Sequence, residues 1–349
     1  MPGAGLRERL ANGPVICAEG YLFALEARGY LQAGAFVPEV VLEHPEVVAQ
    51  LHREFARCGS DVIQAFTYYA HREKLRLIGR EADLEPMNRG ALRLARDVAA
   101  EHGGLMAGNV CNTNIYDPDD TATHAEVRGM FTEQIGWAVE EGAELVICET
   151  FGFTGEALIA LDVAKATGLA TVVTMAQHVS ERTRDGDDIE TACKRLADAG
   201  ADVVGLNCAR GPWTMLPLLE RLRAAVPGHL AALPVPYRTT PAEPAFQVLS
   251  DPDCGCPAPH GRPFPTALDA LTCTRYEMAE FARRAHALGV DYLGICCGAA
   301  PHHVRSMAEA LGRSTEASRF SPDMAKHYAL GDDATVKAQN RRFAARYSS

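Results

Sequence analysis

Leu288-Gly289-Val290-Asp291-Tyr292-Leu293-Gly294-Ile295-Cys296-Cys297-Gly298 decides the fold. It reads as a helix stop, a short apolar strand and a glycine turn. The same order of helix end, glycine and acid opens other strands, as Cys58-Gly59-Ser60-Asp61, Glu141-Gly142-Ala143-Glu144 and Ala199-Gly200-Ala201-Asp202. Glycine just past a helix is its expected stop. Working outward, strands are predicted at 15–18, 61–66, 105–110, 145–149, 170–175, 202–208, 230–235 and 291–297. Helices are expected at 39–58, 87–101, 125–141, 155–167, 188–199, 213–225, 276–288 and 304–311. Short, nearly continuous apolar strands alternating with helices build a parallel sheet covered on both faces. Eight such units predict a (β/α)8 TIM barrel, which typically takes ~250 residues. A dinucleotide fold would carry a glycine-rich turn after its first strand. Here that turn is Glu19-Gly20-Tyr21.

Two segments stand outside the rhythm. Pro236–Thr274 makes a long loop between the seventh strand and the seventh helix, and loops of that length are usually functional. It carries Cys254-Gly255-Cys256, half of a metal knuckle with no second half following. Beyond a barrel domain at 1–312, residues 313–349 form a polar C-terminal extension ending in a basic helical segment at 337–346. The 349 residues carry 34 basic and 45 acidic side chains, a net charge of −11. That balance argues against nucleic acid or an anionic membrane as partner. No segment has the form of a signal peptide or the length of a bilayer span. Eleven cysteines lie scattered through apolar strands, as expected in a reducing, cytoplasmic setting where thiols stay free or bind metal.

The doublet Cys296-Cys297 carries the chemistry. Side chains alternate along a strand, so adjacent cysteines share a target only where the strand ends and turns. Gly298 permits that turn. Cys208, closing the apolar run Val203-Val204-Gly205-Leu206-Asn207, is the candidate third thiol. Three thiolates with an open fourth position describe a catalytic zinc site. The competing reading makes all three small buried hydrophobes. Barrel active sites lie at the C-terminal strand ends, which here carry Glu19, Thr67 with Tyr68 and Tyr69, Asn112 with Asn114, Glu149, His178 and the three cysteines.

Gly205-Leu206-Asn207-Cys208 and Gly294-Ile295-Cys296-Cys297-Gly298 with Pro301-His302 resemble the zinc motifs of the homocysteine S-methyltransferase family. The resemblance runs from about Val15 to about Leu311. Phe23-Ala24-Leu25-Glu26, Arg28-Gly29-Tyr30, Glu43-His44-Pro45-Glu46, Leu51-His52-Arg53-Glu54-Phe55 and Phe66-Thr67-Tyr68-Tyr69-Ala70 resemble its betaine–homocysteine branch. The resemblance implies Zn2+ on Cys208, Cys296 and Cys297, and homocysteine bound by Glu19, Gly20 and Glu149. It implies a donor site at Phe36, Tyr69 and Asp269. Three positions depart from the family pattern: Glu19 stands for aspartate, Phe36 for tryptophan and Thr150 for tyrosine.

The function so implied is methyl transfer from a betaine-type donor to the thiolate of L-homocysteine, giving methionine. No catalytic group is called for beyond the metal-activated thiolate. One alternative is a sulfonium donor, S-methylmethionine or dimethylsulfoniopropionate. Another, of a different class, is a zinc or thiol redox sensor without methyltransferase activity. The partners are then two small molecules and, through the extension, a further copy of the chain in a homo-oligomer.

Overall fold

The computed structural model describes residues 4–255 and 262–344. Eight parallel strands close a barrel in sequence order: β1 (Val15–Ala18), β2 (Val62–Gln64), β3 (Leu105–Cys111), β4 (Leu145–Phe151), β5 (Ala170–Met175), β6 (Val203–Asn207), β7 (His229–Leu233) and β8 (Val290–Ile295). Each lies close to its expected bounds, and β8 closes the ring on β1 by pairing Val15 with Tyr292 and Ala18 with Ile295. The fold is the expected (β/α)8 TIM barrel.

The helix–glycine–acid device has a structural cause. The glycine adopts the left-handed backbone that ends the helix, at φ 94° for Gly200. The acid then accepts an N–H from the neighbouring strand at the N-terminal rim. Ile16 N donates to Asp61 Oδ2 at 2.8 Å, Met106 N to Glu144 Oε2 at 2.9 Å and Thr171 N to Asp202 Oδ2 at 2.8 Å. Asp291 instead pairs with Nδ1 of His229 on β7 at 2.8 Å. Each acid therefore fixes where a strand begins, and by register where its C-terminal end falls.

Inside the barrel, Val15, Cys17, Val62, Leu105, Leu145, Val172, Val203, Leu233 and Tyr292 pack as one buried cluster. Leu6 and Leu10 of the first helix, α1 (Leu6–Asn12), join it and plug the N-terminal end. The opposite end is left for chemistry.

Three differences from the sequence reading have physical reasons. The expected helix at 39–58 is two helices, Val40–Glu43 and Pro45–Arg57. The residue before a proline is pushed out of helical backbone, and His44 sits at φ −141°, ψ 60°. A second short helix, α2 (Tyr21–Ala27), follows β1 directly, where the sequence suggested only a turn. The last barrel helix begins earlier than expected, at Pro301. Proline suits the first helical position, and Nδ1 of His303 accepts the Ala300 N–H at 3.4 Å.

The chain divides into two compact units after Thr315. The second contains short 3-10 turns at Glu316–Phe320 and Met324–Lys326 and the helix Ala338–Ala344. The basic segment expected at 337–346 runs past the described residues, as does Tyr347. Cys256 of the Cys254-Gly255-Cys256 motif also lies outside them. Among the described residues, no helix is long and apolar enough to cross a membrane.

Candidate active site

Cys208 is the first residue beyond β6, and its N–H extends the ladder to Leu233 O at 2.9 Å. There the chain turns through left-handed backbone, at φ 57° for Cys208 and 54° for Ala209. Such angles are costly for non-glycine residues and cluster where structure serves a site. Two strands further round the barrel, beyond β8, Cys296 N donates to Pro234 O at 3.0 Å, and the chain then bends at Gly298, φ 91°. A Cβ on Gly298 would stand 2.4 Å from the Tyr237 hydroxyl, so only glycine fits that turn. The bend lets adjacent cysteines face one point.

Sγ of Cys297 lies 3.8 Å from that of Cys208 and 3.9 Å from that of Cys296, and all three sulfurs fall within 4.8 Å of one another. Two sulfurs on a tetrahedral zinc with Zn–S near 2.3 Å would be about 3.8 Å apart. The triangle fits such an ion. Thiol hydrogen bonds from Cys296 and Cys297 hold Cys208 well below the ordinary thiol range. Their own thiols are held well above it, chiefly by the same interactions with Cys208. The three thiols thus share their protons unevenly, and binding a metal displaces them.

Beside the triangle is a slot of about 10 Å³, lined by Glu19, Gln64, Phe66, Tyr68, Glu149, Thr150 and the three cysteines. Glu149 is buried on β4 and accepts four hydrogen bonds. Gln64 Nε2 and Asn109 Nδ2 reach Oε1 at 2.6 and 2.7 Å; Asn207 Nδ2 and Thr150 Oγ1 reach Oε2 at 2.9 and 3.1 Å. Burial nonetheless raises its pKa to about 7. Glu19 is buried with neither carboxylate oxygen hydrogen-bonded. Burial, then the nearby charge of Glu149, pushes its pKa well up. Buried acceptors are normally satisfied. Two buried carboxylates converging on a slot with no basic side chain in its lining call for a cationic ligand group.

On the other side of the sulfurs opens a chamber of about 360 Å³. Leu22, Tyr68, Thr150, Cys208 and Cys297 line both spaces, so the Cys208 and Cys297 sulfurs stand at their junction. The chamber is rich in aromatic rings. Phe23 of α2 lies 5.7 Å from Phe36, 5.8 Å from Phe246 and 6.3 Å from Phe264 by ring centroids. Phe36 and Tyr69 both sit in left-handed backbone, φ 55° and 61°. Cys111 Sγ accepts the Tyr69 N–H at 3.3 Å, and Lys74 Nζ rests 4.0 Å from the Tyr69 ring centroid. His178 also lines the chamber, and burial keeps its imidazole below the usual range.

The structure thus gathers Glu19, Glu149, Cys208, Cys296 and Cys297 around the slot and Phe36 and Tyr69 around the chamber. It does not bring Asp269 to either wall; that residue is exposed, at the start of a 3-10 turn. Gly20 is on neither wall. It lets β1's end approach the turn after Cys297, where a Cβ would meet Ala299 Cβ at 2.3 Å. Sequence reasoning missed Gln64, Asn109 and Asn207. Their signal is an amide side chain interrupting an otherwise apolar barrel strand. It also missed Phe23, Phe246 and Phe264, two of which lie on the irregular loop after β7.

A family model described as homocysteine S-methyltransferase matches residues 20–311. Betaine–homocysteine S-methyltransferase 1 of Danio rerio is 39% identical over 334 residues, covering 93% of this chain and 79% of that protein. S-methylmethionine–homocysteine S-methyltransferase BHMT2 of Pongo abelii is 36% identical over 339 residues, covering 95% and 87%. The fold also matches the metallated form of the homocysteine methyltransferase MmuM from Escherichia coli, with a TM-score of 0.67 and 18% identity, covering 87% of this chain and 99% of that one.

Proposed function

This chain belongs to the homocysteine S-methyltransferase family, and from that premise we propose zinc-dependent methyl transfer from a betaine-type donor to L-homocysteine, giving methionine. The observation that carries this reading is the position of the sulfur triangle, between a slot with two buried carboxylates and an aromatic chamber.

Cys208, Cys296 and Cys297 would hold the zinc. When bound there, zinc acts as a Lewis acid that lowers the pKa of a thiol brought to it, supplying thiolate near neutral pH. Glu149 and Glu19 bind the ammonium of homocysteine, with Asn207, Gln64 and Asn109 fixing the Glu149 carboxylate. The amino acid is thereby oriented with its sulfur toward the chamber, and orientation matters as much as activation in an in-line transfer. Phe36, Tyr69 and the neighbouring phenylalanines offer ring faces to an onium head that has no N–H to donate. A lone pair of the thiolate forms the new S–CH3 bond while the donor's N–CH3 bond breaks. Its electron pair stays on nitrogen, leaving a neutral tertiary amine. No proton moves in that step.

The relatives named above use betaine or S-methylmethionine at nearly equal similarity, so the donor must be argued from the chamber. A ring-lined space suits a soft cation such as trimethylammonium, and we take glycine betaine or a close relative as the donor. A sulfonium head carries the same charge and is the second reading. A redox sensor would leave both the carboxylate slot and the chamber without a role. Three closely spaced free thiols need a reducing compartment to stay metal-competent, which supports a cytoplasmic location.

The test is incubation of zinc-loaded protein with L-homocysteine and, separately, glycine betaine, dimethylsulfoniopropionate and S-methylmethionine, with methionine quantified by mass spectrometry. Methionine from glycine betaine is expected. Methionine from the sulfoniums alone would move the donor assignment, and none from any donor would refute the methyltransferase reading.

A further inference from the structure

Arg184 lines the chamber but not the slot. Its backbone N–H donates to Gly152 O at 2.8 Å. Its stem lies along Gly152, where a Cβ would come within 3.3 Å of Nε. The guanidinium carbon stands 5.7 Å from the Phe153 ring centroid. A backbone tie, a bare glycine and a ring therefore lay this side chain along the chamber wall.

The guanidinium nevertheless makes no ion pair or side-chain hydrogen bond among the described residues. The acids near it are committed elsewhere. Asp185 accepts the N–H groups of Thr154 and Gly155 at 2.9 and 2.8 Å. Glu156 accepts from Thr113 N and Oγ1 at 2.7 and 2.6 Å. His178 is held toward its neutral form by burial. Among the described residues, Arg184 is thus the one permanent cation in the chamber lining. Arg184 is exposed, so its head is open to a ligand entering the chamber, and a guanidinium with its fork unoccupied suits a planar anion, above all a carboxylate.

We propose that Arg184 is a specificity-determining residue that binds the carboxylate of the methyl donor, so that the preferred donors are carboxylated onium compounds. This rests on the methyltransferase reading and names the residue that reads the carboxylate its candidate donors share. The onium head lies among the rings near the sulfurs, and the carboxylate extends to the part of the chamber that the slot does not share.

Two sulfonium donors isolate the effect: dimethylsulfonioacetate and trimethylsulfonium, which differ by one carboxylate. In Arg184→Gln, the ratio of kcat/KM for the first to that for the second should fall about five- to thirtyfold, with Arg184→Lys recovering part of the loss. An unchanged ratio would overturn the assignment. Calorimetric titration of glycine betaine into zinc-loaded wild-type and Arg184→Gln protein gives a readout without turnover. The Kd should rise by a similar factor. If no donor yields methionine, the methyltransferase reading falls, while the titration still decides on Arg184. Equal Kd values, or no betaine binding to the wild type, would refute it.

Discussion

Asn207 Nδ2 lies 2.9 Å from Glu149 Oε2, while its own Oδ1 accepts the Thr150 N–H at 3.0 Å. Asn207 immediately precedes Cys208, so one residue couples the carboxylate slot to the sulfur triangle. In Glu149→Gln, the new amide N–H2 would face either Gln64 and Asn109 or Asn207 and Thr150, all of them donors to the carboxylate, and the charge that meets an ammonium would be gone. The kcat/KM for homocysteine should fall about ten- to hundredfold. Zinc content by mass spectrometry should stay at the wild-type level, because no sulfur is touched. Loss of zinc in this variant would mean the carboxylate belongs to the metal site.

The donor wall is separable from both. Phe36→Ala or Tyr69→Ala should raise KM for the donor about five- to thirtyfold, with homocysteine affinity unaffected, because a cation–π contact contributes about 1–2 kcal/mol. Phe264→Ala should act in the same direction. Steady-state kinetics at saturating homocysteine decides this, and unchanged donor KM in all three would return these rings to ordinary packing.

A stability prediction follows from His303, whose Nε2 lies 2.9 Å from Cys273 O. Burial, more than any neighbouring charge, lowers its pKa to about 4. A buried imidazole with a depressed pKa contributes stability above its unfolded value of ~6.5, and that contribution is lost as pH falls toward the folded value. His303→Gln keeps a donor for Cys273 O without the titration. Between pH 6.5 and 4, its urea midpoints should decline less than those of the wild type, by about 1–2 kcal/mol in unfolding free energy. Parallel declines would contradict the assignment.

The unit after Thr315 exposes Phe320, Met324, Tyr328 and Leu330 by 59, 57, 57 and 64%. Together with the extension read from sequence, this motivates a homo-oligomer held partly by the tail. A chain truncated after Gly312 should sediment as a smaller species than the full-length protein. Identical sedimentation coefficients would remove the tail from the interface.

Much of this was legible beforehand because the barrel repeats one physical unit. A helix must stop, so glycine follows it; a strand must begin in register, so an acid such as Asp202 waits to accept the Thr171 N–H. The cysteines were readable because adjacent thiols at a turn serve a packed core poorly. The amide cradle of Glu149 was less visible, since Gln64, Asn109 and Asn207 lie on three different strands and meet only once the barrel closes. Phe246, Phe264 and Arg184 sit on irregular loops, where no periodicity reports which way a side chain faces. Asp269 shows the converse, as a resemblance along the chain that the structure does not carry to the cavity wall.

The central claim is that the homocysteine sulfur joins Cys208, Cys296 and Cys297 on one zinc ion. X-ray absorption at the zinc edge, recorded before and after adding L-homocysteine, tests this most directly. The account predicts three sulfur scatterers at about 2.3 Å becoming four, with no such zinc signal in Cys297→Ala. A sulfur count that stays at three with saturating homocysteine, or full zinc occupancy in Cys297→Ala, would contradict it.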